Sequence, residues 1–124
     1  VKKNIFNKST VRIFAGKKNT KLNPLILAKE MENRGAGEIM LTSIDKEGTW
    51  EGFDLELISK ISSAISIPLI AHGGAGNLLD LIKGVNAGAS AIALGSMVVF
   101  QKKGMGVLVN FPAPEKLALA FSNV

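Results

Sequence analysis

Short apolar runs, each leading through a loop into a helical pattern, recur along this chain of 124 residues. The runs over residues 39–42, 67–71 and 89–94 are apolar on both faces, which is typical of strands buried in a parallel sheet. They repeat after about 30 and then about 22 residues, periods that suit strand–helix units. The pattern therefore predicts an α/β fold, either an open sheet or a barrel.

Helix-start signals precede three amphipathic segments. An Asn or Asp side chain caps the free N–H groups of a first helical turn, and Pro fits the first helical position. The predicted helices are marked by Asn23 and Pro24 with an end near Gly35, by Asp54 with the apolar stripe Ile58, Ile61 and Ile65, and by Asn77 with an end near Gly88.

The two ends of the chain carry weaker patterns. Residues 1–22 predict an irregular region with one strand over 10–14, and residues 107–111 and 115–121 predict two short helices separated by prolines. The strand–helix units are too few to close a barrel of this kind, which needs about 250 residues. Since the chain also starts at Val1 rather than Met, we expect it to be part of a longer protein.

The composition excludes several classes of protein. No run approaches the roughly 18 apolar residues of a membrane span, and the first residues lack the pattern of a signal peptide. The absence of Cys excludes disulfides, thiolate metal sites and thiol nucleophiles. We therefore expect a cytoplasmic protein that binds neither a membrane nor a metal and uses no cofactor.

The chain is basic, with a formal net charge of +5. Most of the surplus lies at its two ends, and such a balance suits nucleic acid, acidic membranes or phosphorylated substrates. Six Phe, one Trp and no Tyr provide no stacking platform for bases, so we expect no nucleic-acid partner. Most of the lysines are expected to be solvated, and a phosphate ligand is the best specific alternative.

Glycine-bearing loops follow two of the predicted strands. In parallel α/β folds ligands bind at the carboxyl ends of the strands, where Gly73, Gly74, Gly95 and Ser96 fall. Glycines let the backbone approach a ligand closely, and N–H groups at a helix start favour an anion. The pattern predicts a phosphate-binding cradle, and the alternative is that these glycines only form tight turns.

Carboxylates stand near both ends of the first predicted strand. Asp45 and Glu47 follow it, where a carboxylate acts as a general acid, a general base or a hydroxyl ligand, or simply completes a turn. Glu38 precedes it, at the opposite end of the sheet, where stability or a partner interface is the usual role. Its alternative is a simple salt bridge with a neighbouring Lys or Arg.

Two further features leave alternatives open. His72 is the only histidine, so it is not expected to hold a metal, and it either donates to a ligand or is a satisfied structural side chain. The basic segment 17–20 (Lys-Lys-Asn-Thr) is either a mobile loop that contacts an anionic substrate or a solvated loop.

Several of these motifs, in this order, resemble the HisF family, the cyclase subunit of imidazole glycerol phosphate synthase. The resemblance covers nearly the whole chain and corresponds to the C-terminal half of that family's barrel. The residues that carry it are Gly16-Lys17-Lys18-Asn19-Thr20, Arg34-Gly35-Ala36-Gly37-Glu38-Ile39, Leu41-Thr42-Ser43-Ile44-Asp45 with Gly48-Thr49, Gly52-Phe53-Asp54 and Ala71-His72-Gly73-Gly74-Ala75-Gly76.

The resemblance implies that residues 1–124 are the C-terminal half of a TIM barrel. It implies a lyase/cyclase that uses ammonia from a HisH-like glutaminase partner to cleave and cyclise a bis-phosphorylated ribonucleotide in histidine biosynthesis. The family's two catalytic aspartates fall outside this chain, so we expect the fragment alone to be inactive. The implied roles are phosphate binding for Gly73, Gly74, Gly95 and Ser96, substrate binding at the active-site mouth for Thr42, Asp45, Glu47 and Gly48, and a gate for ammonia at Glu38.

The sequence also departs from the family pattern. Glu47 stands where an Asp is usual, and His72 where a small residue is usual. Residues 100–103 and 107–112 resemble a side branch associated with sugar amidation in surface polysaccharide synthesis, in which the barrel channels ammonia. A third hypothesis is a non-catalytic half-barrel that binds phosphate and self-associates through its open sheet edges.

Overall fold

The structure is a computed structural model that describes residues 1–6, 8–101 and 103–122. Seven strands and five helices form in this part of the chain. In chain order they are β1 (Lys2–Lys3), β2 (Ser9–Thr10), β3 (Arg12–Ile13), β4 (Lys18–Asn19), α1 (Pro24–Asn33), β5 (Ile39–Thr42), α2 (Leu55–Ser62), β6 (Leu69–His72), α3 (Leu78–Asn86), β7 (Ala91–Ala93), α4 (Ser96–Val99) and α5 (Pro114–Phe121).

A parallel sheet of order β5-β6-β7 organises the fold. Its three strands are those expected from the apolar runs, although β6 and β7 each begin two residues later than predicted. The predicted spacing of about 30 residues between the first two strands matches the register of β5 and β6, since Ile39 aligns with Leu69. The predicted spacing of about 22 residues between the second and third strands differs from the register of β6 and β7 by one residue, because Ala91 aligns with Ile70. The predicted α/β class is confirmed.

The three predicted helix caps all form. The side chains of Asn23, Asp54 and Asn77 accept hydrogen bonds from backbone N–H groups two or three residues later in the chain. The apolar stripe of α2 lies against the sheet, where Ile58 and Ile61 are almost fully buried. The helices therefore begin where local side-chain chemistry dictates, and burial of one face fixes how they pack.

The hydrophobic core lies between the sheet and the helices. Burial is nearly complete at Leu69 and Ala71 on β6, the strand that has a neighbour on each side. On the outer strand β5, Met40 is 54% exposed. The remaining core side chains are Ala28, Leu41, Phe53, Leu57, Ile58, Ile61, Ala75, Leu81 and Ala89.

The N-terminal region departs from the prediction of one strand over residues 10–14. Two small antiparallel pairs form instead, β1 with β2 and β3 with β4. Phe14 and Ala15 have φ values of 53°, in the left-handed region, so the backbone turns where the predicted strand would continue. The predicted single strand was therefore wrong.

The C-terminal region confirms one predicted helix and contradicts the other. Helix α5 covers the predicted segment 115–121, beginning one residue earlier at Pro114. The segment 107–111 is not helical, because its backbone N–H groups bond back to α4: Leu108 N donates to Val99 O and Asn110 N to Val98 O. A bridge between Phe100 and Val107 completes this antiparallel return.

The described part of the chain is consistent with part of an α/β barrel rather than a closed one. Within it, strands β5 and β7 each pair with β6 on one side only. None of the helices formed by residues 1–6, 8–101 and 103–122 is long and apolar enough to cross a membrane.

Candidate functional site

The carboxyl ends of β5, β6 and β7 come together around a shallow depression. Its enclosed volume is only about 10 Å³, and it opens to solvent. The loops after β5 and β6 and the start of α4 all contribute to its wall. The lining residues are Glu47, Gly48, Gly73, Gly74, Ala75, Ala93, Gly95 and Ser96. The structure thus brings together all four residues predicted to form a phosphate cradle.

Two of these glycines are required by the packing of the loops. A Cβ atom added at Gly73 would lie 2.6 Å from the carbonyl oxygen of Ser43, and one added at Gly74 would lie 2.3 Å from that of Gly52. Both glycines also have positive φ, at 95° and 112°. Tight turns alone therefore account for glycine at these two positions.

Gly95 is less constrained by protein contacts. A Cβ atom here would meet Glu47 Oε1 at 3.4 Å and His72 Nε2 at 3.8 Å, both ordinary contacts with side chains. It would project toward the polar groups of the depression. No side chain caps the start of α4 after Gly95, so the first backbone N–H groups of this helix have no side-chain acceptor. Such N–H groups favour an anion.

Three polar side chains form a chain of contacts beside the depression. Thr42 Oγ1 lies 3.1 Å from His72 Nδ1, and His72 Nε2 lies 3.3 Å from Glu47 Oε2. The parallel register places Thr42 directly opposite His72, which explains the first contact. His72 therefore has two side-chain partners, and Glu47 is directed toward the site rather than away from it.

The loop after β5 presents Glu47 through its own backbone bonds. The carbonyl oxygen of Ser43 accepts hydrogen bonds from the N–H groups of Lys46 and Glu47, at 3.2 Å and 3.1 Å. Gly48 follows with a φ of 72°, which turns the chain along the edge of the depression. Local turn geometry thus holds the carboxylate of Glu47 near Gly73 and Gly95.

Asp45 lies at the same end of the sheet but is engaged by the N-terminal segment. Its Oδ2 atom accepts a hydrogen bond from the backbone N–H of Lys3 at 2.7 Å, and its Oδ1 atom lies 3.8 Å from Lys2 Nζ. The ammonium of Lys3 lies 2.8 Å from Asp54 Oδ2, and this hydrogen bond raises the pKa of Lys3. The loop carboxylates therefore also anchor the start of the described chain.

Glu38 stands before β5, at the opposite end of the sheet from the depression. Its side chain is exposed. Among the residues that the structure describes, no Lys or Arg lies within ion-pair distance of it, which is contrary to the salt bridge considered as its alternative role.

The basic segment 17–20 contains β4 and so lies in the β3–β4 pair. Thr20 Oγ1 donates to Val11 O at 2.8 Å, and Asn19 Oδ1 accepts from Lys21 N at 2.9 Å. A Cβ atom at Gly16 would lie 3.4 Å from Ile44 Cδ1, so this turn packs against the loop after β5. Both lysines, Lys17 and Lys18, are exposed.

Asp80, which no sequence motif singled out, positions the loop after β6 (residues 73–77). Asp80 is 8% exposed, and its Oδ2 atom accepts a hydrogen bond from Gly76 N at 3.0 Å. Its own N–H donates to Asn77 Oδ1. An N-cap residue followed three positions later by an acidic residue is the signature of a capping box, and this spacing could have identified it.

The fold and the site define the class of this protein: a partial α/β barrel with a glycine-lined depression at the carboxyl ends of its strands. The family model described as "Histidine biosynthesis protein" matches residues 1–103. The chain therefore belongs to this family of TIM barrels. The resemblance to HisF and the partial-barrel fold are both confirmed.

Two curated relatives carry HisF names. The imidazole glycerol phosphate synthase subunit HisF of Sulfolobus acidocaldarius is 46% identical over 93 residues, which cover 75% of this chain and 37% of that protein. A Pseudomonas aeruginosa protein provisionally named imidazole glycerol phosphate synthase subunit hisF2 is 43% identical over 103 residues, covering 82% of this chain and 41% of that protein. The chain thus spans about two fifths of their length.

Solved structures also resemble part of the chain. FabK from Thermotoga maritima is 26% identical, with a TM-score of 0.49, over 61% of this chain and 25% of that one.

Proposed function

We propose that this chain is part of a cyclase subunit of the imidazole glycerol phosphate synthase type. Such a subunit would use ammonia from a glutaminase partner to cleave and cyclise a bis-phosphorylated ribonucleotide in histidine biosynthesis. Membership of the histidine biosynthesis family and two relatives with HisF names support this proposal. Their names refer to the synthase, so sugar amidation is the less favoured hypothesis.

One structural observation carries the proposal: Gly95 and Ser96 adjoin Gly73 and Gly74 in a single depression at the strand ends. Backbone N–H groups at the start of α4 and the hydroxyl of Ser96 would donate hydrogen bonds to one substrate phosphate. Gly73 and Gly74 would let the loop after β6 lie close enough to form the opposite wall. Phosphate binding is thus the task we assign to these four residues.

The residues at the end of β5 would contact the rest of the substrate. Thr42, Asp45, Glu47 and Gly48 lie along or beside the loop that borders the depression. Hydroxyl and carboxylate oxygens there are suited to accept hydrogen bonds from ribose hydroxyl groups. The acid and base of the reaction would be supplied by residues outside this chain, so its own contribution would be substrate binding and orientation.

Substitution of Ser96 tests the phosphate site. Ser96→Asp introduces a negative charge into the depression, and like charges repel a bound anion. In the complete protein we expect at least tenfold weaker binding of inorganic phosphate by calorimetry. Ser90→Asp is the matched control, because it places the same charge at the amino end of β7 and should leave binding unchanged. Equal affinity in wild type and Ser96→Asp would refute the phosphate assignment.

Turnover separates the candidate functions. The complete protein is expected to convert the bis-phosphorylated ribonucleotide with free ammonium as nitrogen source. Absence of this turnover, with glutamine hydrolysis retained when the glutaminase is present, would favour the sugar-amidation relative. Phosphate binding and self-association without any turnover would favour the non-catalytic half-barrel.

A further inference from the structure

A carboxylate stands inside the depression to which we assign a phosphate. Glu47 Oε1 lies 3.4 Å from the Cβ position of Gly95, and Glu47 Oε2 lies 3.4 Å from that of Gly73. The side chain of Glu47 is 39% exposed, so it borders the opening rather than the core. An anion held between Gly73 and Gly95 would therefore lie within a few ångströms of a negative charge.

The charges that face this carboxylate decide whether an anion can bind. In the loop after β5, Lys46 lies 3.9 Å from the carboxylate of Glu51. The carboxylates of Asp45 and Asp54 are paired with Lys2 and Lys3.

From β6, the titratable side chain that faces Glu47 is His72, at 3.3 Å. β7 and α4 line the depression only with Ala93, Gly95 and Ser96. Within the described part of the chain, His72 is therefore the side chain placed to offset the charge of Glu47.

The contacts of His72 fix how its ring would carry a proton. With Glu47 ionised, Nε2–H donates to the carboxylate, and Nδ1 accepts from the hydroxyl of Thr42. When both nitrogens carry protons, the ring keeps Glu47 and the hydroxyl of Thr42 turns to accept. Imidazole is the side chain whose charge changes between pH 5 and 8. Both protonation states thus fit the same ring position.

We infer that His72 is a positioning residue that holds Glu47 at the edge of the phosphate site and takes up a proton from solvent when the phosphate binds. This inference rests on the proposed phosphate site. A bound anion would favour a positively charged ring, because the Cβ position of Gly95 lies 3.8 Å from His72 Nε2. Phosphate binding is therefore coupled to proton uptake, and affinity falls as pH rises.

Sulfate is the appropriate probe, because it stays a dianion over the whole range in which imidazole titrates. Its affinity for the complete protein is measured by calorimetry at pH 6, 7 and 8, in two buffers of different ionisation enthalpy. We expect net proton uptake on sulfate binding and an affinity about tenfold weaker at pH 8 than at pH 6, since the slope of affinity against pH counts the protons bound.

Two variants and one control isolate His72. His72→Gln keeps a hydrogen-bonding side chain but cannot gain a proton, so affinity should become about tenfold weaker at pH 6 and independent of pH. Glu47→Gln removes the repelling charge and should bind sulfate more tightly than wild type, with smaller proton uptake. Glu51→Gln is the control, because it removes a loop carboxylate that pairs with Lys46 instead, and wild-type proton uptake should persist.

The outcomes distinguish this inference from the proposed function. Sulfate binding that is lost in Ser96→Asp but has the same pH profile in wild type and His72→Gln would overturn the role of His72 and leave the phosphate site intact. No sulfate binding by the wild-type protein would overturn both. Loss of proton uptake in His72→Gln, with binding retained at pH 8, would support both.

Discussion

The backbone N–H of Gly52 donates to the carbonyl oxygen of Gly74 at 2.8 Å, and this bond joins the loop after β5 to the loop after β6. The carbonyl oxygen of Gly52 in turn approaches Gly74 so closely that no side chain fits between them. The two loops that border the depression are therefore one packed unit. A change in either loop should be felt at the candidate site.

Gly74→Ala should destabilise the fold. The added methyl group would lie 2.3 Å from Gly52 O, and the φ of 112° is unfavourable for alanine. Strain of this kind costs about 1–3 kcal/mol, and displacement of the loop adds to it. Gly37→Ala is the matched control, because nothing lies within 4 Å of its Cβ position. Denaturant unfolding of the complete protein should show a large loss for the first variant and little change for the second.

Asp80→Ala should destabilise the loop after β6, because Asp80 bonds to the backbone of this loop at Gly76. The substitution removes the acceptor of the Gly76 N–H and leaves that donor without its partner, at a cost of about 1–3 kcal/mol. Asp80→Asn retains an acceptor oxygen and should cost less. We expect the unfolding free energy to be highest for wild type, lower for Asp80→Asn and lowest for Asp80→Ala. Equal stability of the Ala variant and wild type would show that Asp80 does not anchor the loop.

The strands of the sheet could be predicted because each contains a short apolar run, such as residues 39–42, even though Met40 on β5 is 54% exposed. The caps could be predicted because Asn23, Asp54 and Asn77 act within three residues of themselves. The two-residue strands and α4 are too short to show a period. These elements depend on tertiary contacts that no local pattern encodes.

The contacts within the candidate site were harder to predict than its location. The position of Gly73, Gly74, Gly95 and Ser96 after consecutive predicted strands was enough to predict that they lie close together. The contact between Thr42 and His72 depends on the register of two strands, and the contact between His72 and Glu47 depends on a turn closed by Ser43 O. A shift of one residue in the strand register or in the turn would have separated these side chains.

Glu32 should contribute stability that depends on pH. The hydroxyl and N–H of Ser66 both donate to Glu32 Oε1, and these bonds lower the pKa of the Glu32 carboxyl, the hydroxyl contributing most. A group whose pKa is lower in the folded state stabilises the fold above its unfolded pKa, about 4.3 for Glu. The contribution is lost as pH falls through the folded-state value.

Glu32→Gln should therefore be less stable than wild type at pH 7, and the difference should vanish in acid. Unfolding curves of both proteins from pH 7 down to about pH 3 measure this difference. Ser66→Ala removes the hydroxyl donor. It should reduce the pH-dependent part, and the double variant should lose little beyond Glu32→Gln alone. A difference that stays constant with pH would contradict the assignment to the carboxylate.

Glu38→Ala tests the proposed gate for ammonia at the amino end of β5. This exposed carboxylate has no ion-pair partner among the described residues, so its removal should cost little stability. If it lines the path by which ammonia enters, glutamine-dependent turnover with the glutaminase should fall several-fold. Turnover with free ammonium should change less, because the strand ends proposed to bind substrate lie at the opposite end of the sheet. Glu115→Ala on α5 is the control for loss of an exposed glutamate and should leave the two rates in their wild-type ratio. Equal losses with both nitrogen sources would instead assign Glu38 to folding or to the reaction itself.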